Sequence, residues 1–169
     1  MPRRNWLRVV TDDVTLPNGR EIQLEVIRHP GASAIVPFLD EERVLMIRQF
    51  RHCANGVIWE VPAGTLDPGE DPATCAAREL EEEAGQRAGR LEHLASILTT
   101  PGFTDEVIHL YAAHDLEEVG QALEDDELIE LHPMRLREAV ELVWSGELRD
   151  GKSALAILHA ARRVGLLGA

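Results

Sequence analysis

Residues 60–85 read EVPAGTLDPGEDPATCAARELEEEAG. An apolar strand signal ends at Pro62, a loop rich in glycine and proline follows, and a helix is predicted to begin at Asp71-Pro72. Aspartate is a favoured N-cap, and proline suits the first helical position because its missing N–H would be unpaired there. The helix is predicted to run to about Ala84, with Gly85 as its C-terminal stop.

The predicted helix separates its acidic residues from its small ones. At about 100° per residue, Glu79, Glu82 and Glu83 share one face, and the packing face consists of Ala73, Ala76, Ala77, Leu80 and Ala84. Like charges at this spacing destabilise a helix by roughly 0.2–0.5 kcal/mol per pair, which Arg78 partly relieves. Bound hard cations explain such a cluster better than solubility does, because these ions prefer carboxylate oxygens. A solvated acidic face is the alternative.

Strand signals lie on both sides of this helix. An Asn-Gly turn at 18–19 predicts a hairpin of strands 6–14 and 20–28. Ser153 is a candidate N-cap for the last helix. The remaining predicted strands are 33–39, 44–50, 58–61, 94–99 and 107–113, and the remaining helices are 136–144 and 154–166. Strands around one central helix predict an α+β or layered α/β domain.

Composition limits the function classes. The 169 residues fit one domain, and their net charge of −13 disfavours binding to a nucleic-acid backbone. Residues 61–130 hold three basic and eighteen acidic side chains, so the negative charge is concentrated around the helix. Two cysteines, no signal peptide and no apolar run long enough to cross a bilayer predict a cytoplasmic protein that does not bind membranes.

Seven residues within 64–85 have the spacing of the Nudix box, and the chain therefore resembles the Nudix hydrolases. They are Gly64, Glu70, Arg78, Glu79, Glu82, Glu83 and Gly85. The resemblance implies the Nudix fold, an α/β/α sandwich with a mixed β-sheet between helices, over residues 33–169. Residues 1–32 would form an N-terminal β-hairpin region, which two subunits could exchange. Gln86 departs from the family, which usually has an aliphatic residue there.

The resemblance also implies a metal-dependent reaction, in which water cleaves a nucleoside diphosphate linked to another group. Two or more Mg²⁺ ions would be bound, with Mn²⁺ as an alternative, and would activate the water. Glu79 and Glu83 would be the main ligands, Glu82 a further ligand, and the Ala63 carbonyl would complete the shell. Glu70 would support the site, and Arg78 would orient the glutamates and belongs with the expected catalytic residues, which include Glu82 and Glu83.

The general base would come from the acidic loop 124–127, again by resemblance. Glu127 is the first candidate, as a base or a metal ligand, because it directly precedes the strand-like residues 128–131. Asp125 is the second candidate. A solvated loop is the alternative for each member of this group.

Three segments resemble the ADP-ribose pyrophosphatase subgroup: residues 48–51, 59–64 and 101–106. The implied substrate-binding residues are Arg51, Glu60, Gly64, Phe103 and Glu106. Arg51 would pair with a phosphate, and Phe103 or Trp6 would stack on the base. Packing of a terminal strand is an equal alternative for Trp6. Sugar-nucleotide hydrolases such as GDP-mannose pyrophosphatases share much of this pattern.

The expected function is Mg²⁺-dependent hydrolysis of ADP-ribose to AMP and ribose 5-phosphate by a homodimer. One alternative is the same chemistry on a sugar nucleotide, a dinucleoside polyphosphate or an oxidised nucleotide. Another is a Nudix module that binds a nucleotide without turnover. The intact set of Glu79, Glu82 and Glu83 argues against that module, because a pure binder has no need of a like-charge cluster.

Overall fold

The computed structural model describes residues 8–124 and 127–168. Nine β-strands and three α-helices form within these ranges, together with a 3-10 turn at His52–Ala54. The strands are β1 Arg8–Thr15, β2 Glu21–Arg28, β3 Ala32–Pro37, β4 Arg43–Arg51, β5 Gly56–Glu60, β6 Ala63–Thr65, β7 Gln86–Leu98, β8 Val107–Glu118 and β9 Ile129–Arg135. The helices are α1 Pro72–Ala84, α2 Leu136–Ser145 and α3 Gly151–Arg163.

The N-terminal hairpin pairs with itself and makes few other connections. Strands β1 and β2 are antiparallel, from Arg8 opposite Arg28 to Thr15 opposite Glu21. This confirms the predicted hairpin over the residues described; Trp6 lies outside them. Ile27 joins the hairpin to the rest of the chain, since its N–H donates to the Phe103 carbonyl at 2.7 Å.

Two sheets occupy the middle of the domain. One has the strand order β6-β3-β8-β7 and the other β5-β4-β9. Strands β3 and β8 run parallel, whereas the other pairs in the two sheets are antiparallel. The larger sheet is therefore mixed, as predicted.

Helices cover both faces of the mixed sheet. On β3, Ala34 and Val36 belong to the core that includes Ile157 of α3. Ile35 lies between them in sequence and packs with Leu80 of α1, because successive side chains of a strand point to opposite faces. The predicted α/β/α fold is confirmed. No helix in the described ranges is long and apolar enough to span a membrane.

Helix α1 begins and ends where the local signals predict. The Asp71 carboxylate accepts hydrogen bonds from the N–H groups of Ala73 at 3.0 Å and Thr74 at 3.4 Å. At the other end Gly85 adopts φ 63° and its N–H bonds to carbonyls of the last turn. These caps are local features, which explains why sequence alone located them.

Other local predictions were wrong. Residues 63–65, expected in a loop, form strand β6 against β3. Ser153, predicted as an N-cap, lies inside α3, and Asp150 caps that helix by accepting from the Ser153 N–H at 3.0 Å. Strand β7 begins at Gln86 rather than Leu94, since Ala88 and Leu91 are the two apolar side chains of residues 86–93 and do not alternate clearly.

Candidate active site

A cleft of about 930 Å³ is bordered by β6, α1, the start of α3 and the segment after β8. Its charge is strongly unbalanced: eight carboxylates line it, against three cationic side chains. The carboxylates are Asp67, Glu79, Glu82, Glu83, Glu106, Glu124, Glu127 and Asp150, and the cations are Arg51, Arg78 and Lys152. An anionic ligand entering alone would meet repulsion there.

Two of the three glutamates on the acidic face of α1 are buried beneath β6. Glu83 is 2% exposed, and its Oε2 accepts a hydrogen bond from the Ala63 N–H at 2.8 Å. Burial raises the pKa of Glu83 to about 8; the Ala63 N–H opposes this shift, whereas the charges of Glu79 and Glu127 add to it. Burial also raises the pKa of Glu79. The Glu83 charge is therefore unfavourable at neutral pH unless a cation approaches, whereas Arg78 partly offsets the shift at Glu79.

Gly64 provides the space for Glu79. A Cβ added at Gly64 would lie 1.9 Å from Oε1 of Glu79 and 2.0 Å from its Cδ. These distances are far below van der Waals contact, so only glycine allows β6 to pass this close to the carboxylate.

Arg78 holds three glutamates at once. Its Nε and Nη2 bond to the two carboxylate oxygens of Glu70, each at 3.0 Å. Its Nη1 donates to Glu79 at 2.6 Å and to Glu82 at 3.0 Å. The hydrogen bond from Arg78 lowers the pKa of Glu70 to about 2. Arg78 thus orients the carboxylates of Glu79 and Glu82 and links them to Glu70.

The acidic segment after β8 reaches the same cleft. The Glu127 N–H donates to the Glu124 carbonyl at 3.1 Å, and the Glu124 N–H donates to Oε2 of Glu127 at 2.8 Å. This turn fixes the Glu127 carboxylate near α1, where its charge raises the pKa values of both Glu79 and Glu83. Asp125 lies outside the described residues.

Arg51 is held at the cleft by a buried partner. Its Nε and Nη2 donate to the two oxygens of Glu60 at 2.8 and 2.9 Å. Glu60 is 1% exposed and also accepts from Lys152 Nζ at 2.8 Å. Burial alone would raise the pKa of Glu60, but Arg51 and Lys152 together bring it below its usual value. The Glu60 bonds use Nε and Nη2 and leave out Nη1, and Arg51 is one of the residues that line the cleft.

Glu106 lies immediately before β8, on the side of the cleft that contains His29. Thr99 Oγ1 donates to its Oε2 at 2.7 Å, and His29 Nε2 lies 3.4 Å from its Oε1. Phe103 is 51% exposed and does not line the cleft. Its described hydrogen bonds are made by its backbone, with the Ile27 N–H and with the Thr100 carbonyl.

The fold brings most of the predicted site residues together. Lining the cleft are Arg51, Ala63, Gly64, Arg78, Glu79, Glu82, Glu83, Glu106 and Glu127. Glu60 lies behind Arg51, and Phe103 lies outside the cleft. Sequence reasoning missed His29, Thr99 and Lys152. Lys152 is the one lysine of the chain, a signal that could have marked it.

The donor chemistry of the cleft fits divalent cations. Carboxylates and backbone carbonyls are the ligands that Mg²⁺ and Ca²⁺ prefer, and burial disfavours the charges of both Glu79 and Glu83 although Arg78 contacts Glu79. Within residues 8–124 and 127–168, no three acidic, histidine or cysteine side chains already close around one point. Glu79, Glu83 and Glu127 are the side chains that would hold a cation here.

Comparisons with known proteins agree with this geometry. The model of the NUDIX domain matches residues 28–154. The chain is 42% identical over 150 residues to an ADP-ribose pyrophosphatase of Bacillus subtilis (strain 168), covering 88% of this chain and 81% of the relative. It is 40% identical over 155 residues to a methanol dehydrogenase activator of Bacillus methanolicus, covering 90% and 84%. A solved ADP compounds hydrolase superposes with a TM-score of 0.83 at 22% identity, over 99% of this chain and 91% of that one, a likeness of fold.

Proposed function

Because this chain belongs to the Nudix hydrolase family, we propose that it hydrolyses the diphosphate linkage of ADP-ribose to AMP and ribose 5-phosphate. The observation that carries the proposal is the meeting of Glu79, Glu83 and Glu127 in one cleft with Arg51. The similarity to an ADP-ribose pyrophosphatase supports the substrate.

Bound Mg²⁺ or Mn²⁺, in two or more sites, would neutralise the diphosphate and lower the pKa of a bound water. Glu79 and Glu83 would hold these cations, with Glu82 and the Ala63 carbonyl as further ligands. Their raised pKa values are consistent with a cation site, because bound cations would favour the charged carboxylates that burial disfavours.

The other residues of the cleft would orient the substrate and move its protons. Glu127 would accept the proton of the attacking water, since its carboxylate is fixed by the Glu124 turn and faces the α1 glutamates. Arg51 would contact a phosphate with Nη1, because Glu60 already holds its Nε and Nη2. Glu106, braced by Thr99, would contact the substrate or a metal.

A homodimer forms the second part of this proposal. Strands β1 and β2 form a two-stranded ribbon, and such a hairpin alone is marginally stable in water. Val9 on this ribbon is 67% exposed and Leu24 is 43% exposed. A second copy of the chain would cover these side chains. Light scattering on purified protein tests this, and a monomeric mass at micromolar concentration would overturn it.

The experiment for the proposed activity is a hydrolysis panel with product identification. ADP-ribose, GDP-mannose, a diadenosine polyphosphate and an oxidised dGTP are compared with Mg²⁺, with and without chelator. Chelator-sensitive release of AMP from ADP-ribose is the expected result. Preferential cleavage of another member would replace the substrate, and no turnover by the folded protein would favour a nucleotide-binding module.

The similarity to a methanol dehydrogenase activator makes action on another enzyme the second candidate. The carboxylate cleft favours turnover, because a protein that acts only by contact needs no buried pair such as Glu79 and Glu83. Product release in the absence of any partner protein separates the two.

A further inference from the structure

The segment that carries the acidic turn is bound to the C-terminal end of α1. A helix leaves its last carbonyls without intrahelical partners, and residues 119–122 supply partners here. The N–H groups of Val119 and Gly120 donate to the Gly85 carbonyl at 2.8 and 3.2 Å, and the Ala122 N–H donates to the Glu82 carbonyl at 2.9 Å. These bonds fix the position of residues 119–122 relative to Glu82 and Glu83, whose side chains line the cleft.

One further bond of this contact comes from a side chain. Gln121 Nε2 donates to the carbonyl of Glu83 at 2.7 Å. Glu83 is more deeply buried than Glu79, and Gln121 therefore holds the backbone of the residue whose carboxylate accepts from the Ala63 N–H.

The contact between segment and helix is close. A Cβ added at Gly85 would lie 2.8 Å from the backbone nitrogen of Gln121 and 2.8 Å from the carbonyl carbon of Gly120. Glycine at position 85 therefore serves two purposes: it ends α1 with φ 63° and lets the segment approach. Residues 119–122 are therefore packed against the C-terminal end of α1, and this contact is called the seat of the segment.

The seat lies directly before the acidic turn. Ala122, Glu124 and Glu127 all line the cleft, and Glu127 acts electrostatically on Glu79 and Glu83 across it. A displacement of residues 119–122 along α1 would move Glu127 relative to both glutamates.

We propose that Gln121 is a positioning residue, which sets the distance between the Glu127 carboxylate and the α1 glutamates by bonding to the Glu83 carbonyl. The proposal rests on the proposed hydrolase function. The bonds from Val119, Gly120 and Ala122 use backbone N–H groups and survive a substitution at position 121. Loss of the Gln121 bond therefore loosens the seat without removing it.

Three substitutions separate positioning from general structural effects. Gln121→Met keeps the length of the side chain and loses the donor. Gln121→Glu keeps the shape but turns an acceptor toward the carbonyl. Gln121→Lys retains a donor, whose positive charge also suits a helix C-terminus. The matched control is Gln23→Met, because Gln23 on β2 also donates a side-chain hydrogen bond, to Asp13 at 2.9 Å, and does not line the cleft.

Steady-state kinetics on the best substrate of the panel provide the first readout. Since the loop carboxylate acts on the attacking water, Gln121→Met is expected to lower kcat about fivefold with KM changed less than twofold. Gln121→Glu should lower kcat further, and Gln121→Lys should restore it to within twofold of wild type. Equal loss in the Met and Lys variants, or kcat within twofold in the Met variant, would overturn the proposal.

Amide hydrogen exchange provides a readout that needs no turnover. The peptide covering residues 118–124 should exchange faster in Gln121→Met than in wild type or Gln121→Lys, with Gln23→Met unchanged there. Unaltered exchange in the Met variant would also overturn the proposal. If exchange is faster in Gln121→Met but the wild-type protein hydrolyses no substrate, the hydrolase function is refuted and the contact of Gln121 is not. The two failures are therefore distinguishable.

Discussion

Substituting alanine for Gly64 tests whether the position of the Glu79 carboxylate is essential. The added Cβ would lie 1.9 Å from Oε1, whereas ordinary contact begins near 3.4 Å. The carboxylate must therefore retreat by about 1.5 Å, because β6 is fixed by its pairing with β3. Gly64 does not have a positive φ. Alanine therefore introduces no backbone strain at this position, and any loss of activity comes from the clash with Glu79.

The magnitude follows from what this displacement breaks. Glu79 is 8% exposed and is held by Arg78 Nη1 at 2.6 Å. A misplacement of about 1 Å in a catalytic constellation costs about 100-fold in rate, so we expect kcat/KM to fall by about 10²–10³. The atoms in the way belong to a side-chain end, so the free energy of unfolding should fall by only about 1–3 kcal/mol.

The assay combines steady-state kinetics, Mg²⁺ titration and thermal unfolding. Gly168→Ala is the control, because an added Cβ there meets nothing within 4 Å. Shortening the neighbour in Gly64→Ala/Glu79→Asp should restore the melting temperature but not the activity. If Gly64→Ala retains activity within threefold of wild type, the position of Glu79 is not essential and its assigned role is refuted.

Four further predictions concern charges around the same cleft. Glu83→Gln should lower kcat by orders of magnitude in a folded protein; near-normal turnover would remove Glu83 from the mechanism. Without metal, the pKa of Glu83 is about 8 when folded against 4.5 as a free side chain, so its ionisation destabilises the fold as pH rises through this window. In the presence of a chelator, Glu83→Gln should therefore be more stable than wild type at pH 8, by roughly 4 kcal/mol, and should lose this advantage at pH 4.5. Urea unfolding at both pH values measures the difference in the free energy of unfolding, and a difference that does not change with pH would contradict this prediction. The pKa of Glu70 is lowered to about 2, so its stabilising contribution is present above pH 4.5 and disappears as pH falls toward 2. Glu70→Gln should thus be less stable than wild type at pH 7, and this gap should shrink to a small fraction as pH falls to 2. A gap that widens in acid would refute the Arg78 pairing as its cause. Arg51→Lys should raise KM about tenfold with less effect on kcat, because lysine cannot hold Glu60 with two donors and still reach a phosphate; an unchanged KM would exclude Arg51 from substrate binding.

The sequence by itself determined the elements that depend on neighbouring residues. Asp71, Pro72 and Gly85 fixed the limits of α1, since caps act within one helical turn. The Asn-Gly turn fixed the hairpin. The spacing of Glu79, Glu82 and Glu83 predicted a shared acidic face, and the resemblance of this segment to the Nudix box indicated the fold.

Only the tertiary structure decided how the charges of that face are used. The spacing predicted the same environment for Glu79, Glu82 and Glu83, on one face of α1. In the structure Glu79 and Glu83 are buried by β6, whereas Glu82 stays partly exposed. β6 exists through its pairing with β3, which is distant in sequence. Glu60 was expected to contact substrate, but it is enclosed by Arg51 and Lys152.

The physical reason is that desolvation and pairing depend on residues far apart in the chain. Lys152 reaches Glu60 from a helix 92 positions away, and Gln121 reaches the Glu83 carbonyl across 38. Local patterns carry the periodicity of a helix and its caps, but not the identity of the chain segment that covers it. The sequence therefore determined which side chains are acidic and clustered, and the packing of distant segments determined which of those charges are buried, shared or left facing the cleft.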